Sequence, residues 1–160
     1  MRLTPDTVRE EYERVQDRRG DVVPLVNETR AHLGAQFDVD VETLTDDAYT
    51  AAIDDVFADG DRAVNVAALV RLLRELDVEG DYPGFVVDEL LGRELAAMIA
   101  GEQPLRLLAE ATFHVADVRT HGDDTAAAGA DDLDAALAAG VQTRVPGWPW
   151  QRTASPFAVE

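Results

Sequence analysis

Apolar residues recur at helical spacing through most of this sequence. The clearest run occupies positions i, i+3, i+4, i+7 and i+8, and consists of Tyr49, Ala52, Ile53, Val56 and Phe57. At 3.6 residues per turn these side chains share one face of a helix, and another element has to cover that face. Thr45 is a favourable N-cap before the run, and Gly60 follows it as a stop signal. This segment therefore constrains the chain to a packed helical fold.

Similar patterns predict further helices on both sides of this run. They extend from Pro5 to about Arg19, from Val22 to Gly34, from Asp61 to about Gly80, from Phe85 to Ala100 and from Pro104 to Thr120. The most apolar segment, 85–100, is the expected central helix. Gly92 inside it costs about 1 kcal/mol relative to alanine, which close approach of a neighbouring helix would offset. The sequence predicts an all-α fold, a single-domain bundle of five to six helices.

Two short segments fit this scheme less well. Phe37, Val39 and Val41 alternate with acidic residues, a period of two that indicates extended backbone. The only comparable segment is 141–145. A small two-stranded ribbon between residues 36–43 and 141–145 is therefore an open alternative.

The chain changes character near its C-terminal end. We divide the chain into a helical bundle (1–121), a linker (122–130) and a C-terminal part (131–160). The C-terminal part consists of a short helix to Ala139 and an extended Pro/Trp-containing tail that packs on the bundle. Trp148, Trp150 and Phe157 in this tail are candidate anchors for a groove on a partner protein. We favour the alternative that they pack on their own bundle, because exposed tryptophans would promote association at high salt.

The sequence is strongly acidic and lacks lysine. Thirty-two acidic residues face fourteen basic residues, all arginine, for a net charge of −18. This composition resembles that of proteins from haloarchaea, in which molar salt reduces the Debye length to about 3 Å and screens the repulsion. The acids are spread along the chain, with one surplus between Asp38 and Asp61, as expected for a solvated surface. We expect no direct binding to nucleic acid, because a phosphate backbone requires a concentrated basic face.

The residue inventory removes many kinds of chemistry. There is no cysteine or lysine and only one serine, Ser155, which argues against thiol, Schiff-base and serine catalysis and against a lysine-containing P-loop. The first twenty residues are too charged for a signal peptide, and no apolar run approaches the ~20 residues that span a bilayer. We therefore expect a cytoplasmic protein with no membrane association and no cofactor.

One helix carries a possible metal site. Glu110, His114, Asp117 and His121 occur at i, i+4, i+7 and i+11 and fall within about 60° of one another on a helix. Histidine four residues from a carboxylate is a spacing that metals accept. Because the apolar residues of this helix centre elsewhere, we expect all four side chains to face solvent.

Two classes of function follow from these observations. The first is a non-enzymatic adaptor, regulator or chaperone-like domain that binds another protein through the C-terminal tail or the acidic surface; homo-oligomerisation stays open. The alternative is a metal-dependent or acid–base enzyme using Glu110, His114, Asp117 and His121. The missing nucleophiles favour the first class.

Overall fold

The computed structural model describes residues 1–76, 84–120 and 130–152, and every regular element in these ranges is helical. They contain seven α-helices: α1 (Pro5–Asp17), α2 (Arg19–Phe37), α3 (Asp46–Ala58), α4 (Gly60–Glu75), α5 (Arg93–Ala100), α6 (Leu105–Thr120) and α7 (Ala130–Arg144). A π-helical segment, Gly84–Gly92, leads directly into α5, and a 3-10 turn, Pro149–Arg152, follows α7. The all-α single-domain bundle is confirmed, with seven helices rather than five or six.

Side-chain caps begin three of the helices. The Thr4 hydroxyl accepts the Thr7 N–H at 3.2 Å, and the Thr7 hydroxyl accepts the Thr4 N–H at 2.7 Å. The Thr45 hydroxyl accepts the Ala48 N–H at the start of α3, and the Asp59 carboxylate accepts the Arg62 N–H at the start of α4. Each cap satisfies backbone donors that the first helical turn leaves unpaired.

The N-terminal helices differ from the predicted boundaries. α1 ends at Asp17, and α2 begins at Arg19 instead of Val22. Pro24 is therefore the sixth residue of α2 rather than part of its first turn. The predicted end of α4 at Gly80 lies outside the described residues, and α4 itself ends at Glu75.

The ribbon left open between residues 36–43 and 141–145 does not form in the described part of the chain. α2 continues to Phe37 and ends at Asp38, which adopts the left-handed conformation with φ 52°. Gly34 does not terminate the helix; a Cβ there would lie 2.7 Å from the Val39 carbonyl oxygen. The glycine instead lets the following chain fold back against α2. Residues 141–144, the other half of the predicted ribbon, belong to α7.

α7 occupies the centre of the bundle. It packs against α2, α5 and α6, and every residue from Ala135 to Thr143 is buried. Gly140 allows α7 to approach α5 closely, since a Cβ there would lie 2.7 Å from Cβ of Ile99. The expected short helix ending at Ala139 is wrong, because α7 continues to Arg144. The second half of the expected central helix 85–100 is also deeply buried, through Leu95, Ala96, Ala97, Ile99 and Ala100 of α5. Small alanine side chains bury on all sides of a helix without an amphipathic pattern.

The contact predicted for Gly92 is present. A Cβ there would lie 2.5 Å from Cζ of Phe113, so the aromatic ring from α6 occupies the space that a larger residue would take. Residues 84–92 are π-helical rather than α-helical, so the expected helix 85–100 changes geometry at this glycine. The contact fixes which side of α6 faces the core.

A buried carboxylate connects two helices at the other side of the bundle. Glu11 of α1 is 1% exposed, and its Oε1 lies 2.6 Å from an Nη of Arg74 in α4. Arg14 and Arg71 approach the same carboxylate at 3.6 and 4.0 Å. Three guanidinium groups thus compensate one buried negative charge.

Candidate protein-binding face

An apolar groove of about 560 Å³ opens between the end of α2, the first half of α6 and the segment after α7. Nearly all of its exposed lining atoms are carbon. Its lining residues are Leu33, Phe37, Val39, Pro104, Leu107, Leu108, Thr112, Gln142, Thr143, Trp148, Pro149 and Trp150. The volume lies within the range of known ligand and anchor pockets, ~300–1,000 Å³.

The walls of the groove are unusually exposed for large hydrophobic residues. Phe37 is 69% exposed, Leu107 60% and Trp150 40%. Val118 lies further along the same side of α6 and is 54% exposed. These are four of the seven large hydrophobic side chains that are exposed among the described residues. We call the groove, together with the exposed side of α6, the apolar face; clustering of this kind marks an interaction surface.

The polar groups at the floor of the groove bond to one another. The Gln142 side-chain amide donates to the hydroxyls of Thr112 at 3.0 Å and Thr143 at 2.8 Å. The Trp148 indole N–H lies 3.2 Å from both the backbone and the side-chain oxygen of Gln142. The floor is therefore internally satisfied and presents carbon to an occupant.

A buried arginine holds the wall that carries the tryptophans. Arg30 of α2 is 2% exposed, and its guanidinium donates to the carbonyls of Glu42, Gln142 and Val145 at 2.7, 2.7 and 2.5 Å. A longer bond, 3.4 Å, reaches the carbonyl of Pro146. Burial lowers the pKa of Arg30 to about 10, so the group is charged at neutral pH. One side chain thus fixes the end of α7 and the turn after it against α2.

The match to known proteins concerns the whole chain. The model of a family described as a domain of unknown function, DUF7984, matches residues 1–160. The chain belongs to the DUF7984 family. No curated protein and no solved structure matches it significantly. The family description states no activity, so a function for this DUF7984 chain has to be inferred from its surface.

The described part of this DUF7984 chain contains no helix that could span a membrane. None of its helices combines the length and the hydropathy that a bilayer crossing requires.

The three described residues of the predicted metal site differ in burial. His114 is exposed and Glu110 is half-buried, whereas Asp117 is 3% exposed, so the expectation that it faces solvent is wrong. His121 lies outside the described residues. Asp117 is buried because of the rotation of α6. The side of this helix that faces the core carries Phe113 and Ala116, and Asp117 lies next to them. Among the described residues, no group of three or more potential ligands is placed to hold a metal ion.

The predicted tail anchors have different surroundings. Trp148 is 6% exposed and packs on its own bundle, as we favoured. Trp150 lies 6.4 Å from it, centroid to centroid, and forms a wall of the groove instead. Phe157 and most of the predicted linker are outside the described residues, while Ala130 begins α7.

Sequence reasoning did not identify Phe37 and Leu107 as site residues. The alternating pattern predicts an extended segment at Phe37, and Leu107 is one of the apolar residues that the sequence predicts on the core side of its helix. One signal was available: apolar residues occupy more than half of the circumference of α6, from Leu107 round to Ala116 and Ala109. Such a helix has more apolar surface than one buried face requires.

Proposed function

We propose that this DUF7984 chain is a non-enzymatic, cytoplasmic protein-binding module adapted to high salt, and that the apolar face is its binding surface. The observation that carries the proposal is the clustering of exposed Phe37, Leu107 and Trp150 around one carbon-lined groove. Single exposed hydrophobic side chains are common on protein surfaces, whereas a cluster of them around a groove is typical of a surface that a partner covers.

The chemistry of the groove favours one kind of occupant. Its floor offers Gln142, Thr112 and Thr143 only as groups already bonded to one another, so a polar ligand would lose its hydration without gaining hydrogen bonds. The groove shares Leu107 with the exposed side of α6, which also carries Ala111, His114 and Val118. We therefore assign the occupant as the apolar side of a protein helix, docked in the helix-in-groove manner.

Binding of a model helix tests this assignment. A fluorescent synthetic peptide of about five helical turns, with leucines at i, i+4, i+7 and i+11, would be titrated in molar KCl and followed by anisotropy. We expect Phe37→Ser and Trp150→Ser each to weaken binding by about tenfold or more, because each removes a large anchor at the centre of the contact. A peptide with serine in place of leucine is expected not to bind.

A matched surface variant controls for general changes in hydrophobicity. Val64 of α4 is 43% exposed and lies outside the groove, so Val64→Ser should leave peptide binding unchanged. Circular dichroism would confirm that all three variants are folded. Equal affinity in the wild type, Phe37→Ser and Trp150→Ser would refute the proposed surface.

A further inference from the structure

The last described turn of the chain is part of the apolar groove. This 3-10 turn contributes Pro149 and Trp150 to the groove lining and ends at Arg152. Residues 153–160 follow it and lie outside the described residues. Phe157 is five residues beyond Arg152, so the backbone allows it a reach of at most about 17 Å. The chain therefore tethers Phe157 close to the groove.

Residues 153–160 differ in composition from the rest of this acidic chain. Their sequence, TASPFAVE, contains one ionisable side chain, Glu160, and one large apolar side chain, Phe157. Five of the eight residues are alanine, proline, phenylalanine or valine. The other two segments outside the described residues, 77–83 and 121–129, carry three and two acidic residues. Of these three segments, 153–160 is the one with the composition for an apolar site.

The lining of the groove suits a phenylalanine side chain. Phe37, Trp148 and Trp150 supply aromatic rings to it, and aromatic pairs gain from edge and offset contacts beyond the area that they bury. The polar groups of the floor bond to one another, so an apolar side chain placed over them leaves none of them without a hydrogen bond. Exposed Asp38 and Asp40 adjoin the wall and disfavour an acidic segment.

We propose that residues 153–160 place Phe157 in the apolar groove of the same chain, where they compete with the partner helix. The inference rests on the proposed function, since it assigns a regulation to that binding surface. A tethered segment acts at an effective concentration in the millimolar range, so a modest contact is enough to hold it. A partner then binds with an affinity reduced by the fraction of chains whose groove is open.

Peptide titration measures the competition. The leucine peptide would be titrated in molar KCl against the wild type, Phe157→Ser and a chain truncated after Arg152, each checked for folding by circular dichroism. We expect both changes to raise peptide affinity by about tenfold, because full burial of one phenylalanine shifts an equilibrium by one to two orders of magnitude. Val64→Ser should leave the affinity unchanged. Equal affinity in the wild type and both tail variants would overturn the inference.

Disulfide trapping locates the segment, and the absence of native cysteine leaves no competing thiol. Leu107→Cys places a thiol on an exposed wall of the groove, and Ala158→Cys places the other beside an intact Phe157. We expect the double variant to form an intramolecular disulfide on mild oxidation, at a rate that falls about tenfold when Phe157→Ser is added. The tether and both thiols are the same in this comparison. Equal rates with and without Phe157→Ser would contradict the proposed contact.

Two controls test the position of the segment and the identity of the chain that it occupies. Val64→Cys combined with Ala158→Cys places the first thiol on α4, which contributes no residue to the groove, so this pair should cross-link much more slowly. A mixture of Leu107→Cys chains and Ala158→Cys chains tests for exchange between copies. A disulfide between chains that forms as efficiently as the one within a chain would refute the intramolecular contact.

The two proposals fail separately. Peptide binding of equal strength in the wild type and the truncated chain would refute the competition and leave the proposed function standing. A disulfide that depends on Phe157, in a chain that does not bind the peptide even after truncation, would refute the proposed function while confirming the position of Phe157. Absence of both the disulfide and peptide binding would refute both.

Discussion

Replacement of Arg30 by methionine tests whether this buried arginine fixes the turn after α7. The guanidinium serves four backbone carbonyls, those of Glu42, Gln142, Val145 and Pro146. Methionine retains the apolar stem of the side chain but donates no hydrogen bond. The Arg30→Met variant would leave these carbonyls unpaired in a region that excludes water.

The expected loss follows from those contacts. Hydrogen bonds from a charged donor contribute about 1.5–3 kcal/mol each, and three of the four in Arg30 are short. Removal of the buried charge offsets part of this lost hydrogen-bond energy, because the folded state no longer bears the desolvation cost of the guanidinium. We expect the free energy of unfolding to fall by about 3–5 kcal/mol, and Tm to fall by roughly 10 °C for a chain of this size.

Urea denaturation at fixed molar KCl measures the change. Circular dichroism reports the helices, while tryptophan fluorescence reports Trp148, which bonds to Gln142 at the same turn. Arg152→Met is the matched control: its side chain is 75% exposed and lies 3.9 Å from Glu42, so we expect a change below about 0.5 kcal/mol. Equal stabilities of Arg30→Met and Arg152→Met would refute this account of the turn.

Three further predictions concern the core, pH and salt. Gly92→Ala should destabilise the fold by about 1–3 kcal/mol in urea denaturation, because the added Cβ would meet the Phe113 ring. The control Gly20→Ala places its Cβ in open space and should stabilise the fold slightly. A gain in stability from Gly92→Ala would contradict the packing. Burial raises the pKa of Asp134 despite its ion pair with Arg18. Ionisation of Asp134 therefore costs stability as pH rises from about 3.8 through the folded-state pKa, and the wild type should lose stability relative to Asp134→Asn across that window only; a constant difference between the two chains would argue against it. Dilution below molar salt should reduce helicity and the cooperativity of thermal unfolding, measured by circular dichroism, because the charge of −18 becomes unscreened; a sharp transition in dilute buffer without multivalent cations would exclude salt adaptation.

Local signals in the sequence were sufficient for most helix starts. Thr4, Thr45 and Asp59 cap the helices that follow them, and a cap depends only on residues within one turn. The end of α2 could not be predicted in this way. Phe37, Val39 and Val41 alternate as a strand would, but the return of this chain against Gly34 is a contact between residues that the pattern does not relate.

The candidate surface depends on contacts that are still more distant in sequence. Trp150 was identified from its residue type. Phe37 was missed because the end of α2 was not predicted, and Leu107 was missed because its exposure depends on the rotation of α6. That rotation follows from the packing of Phe113 on Gly92, twenty-one residues earlier in the chain. The same rotation buries Asp117, which the sequence led us to expect on the solvent side.

The central position of α7 has a consequence for how the protein is made. Synthesis proceeds from the N-terminal end, so α2, α5 and α6 leave the ribosome before the helix that covers their inner sides. Until Ala130–Arg144 has emerged, those sides have no native partner and are open to chaperones or to non-native association. The core therefore closes in a late, long-range step, and a chain truncated before α7 should aggregate rather than form a smaller stable bundle.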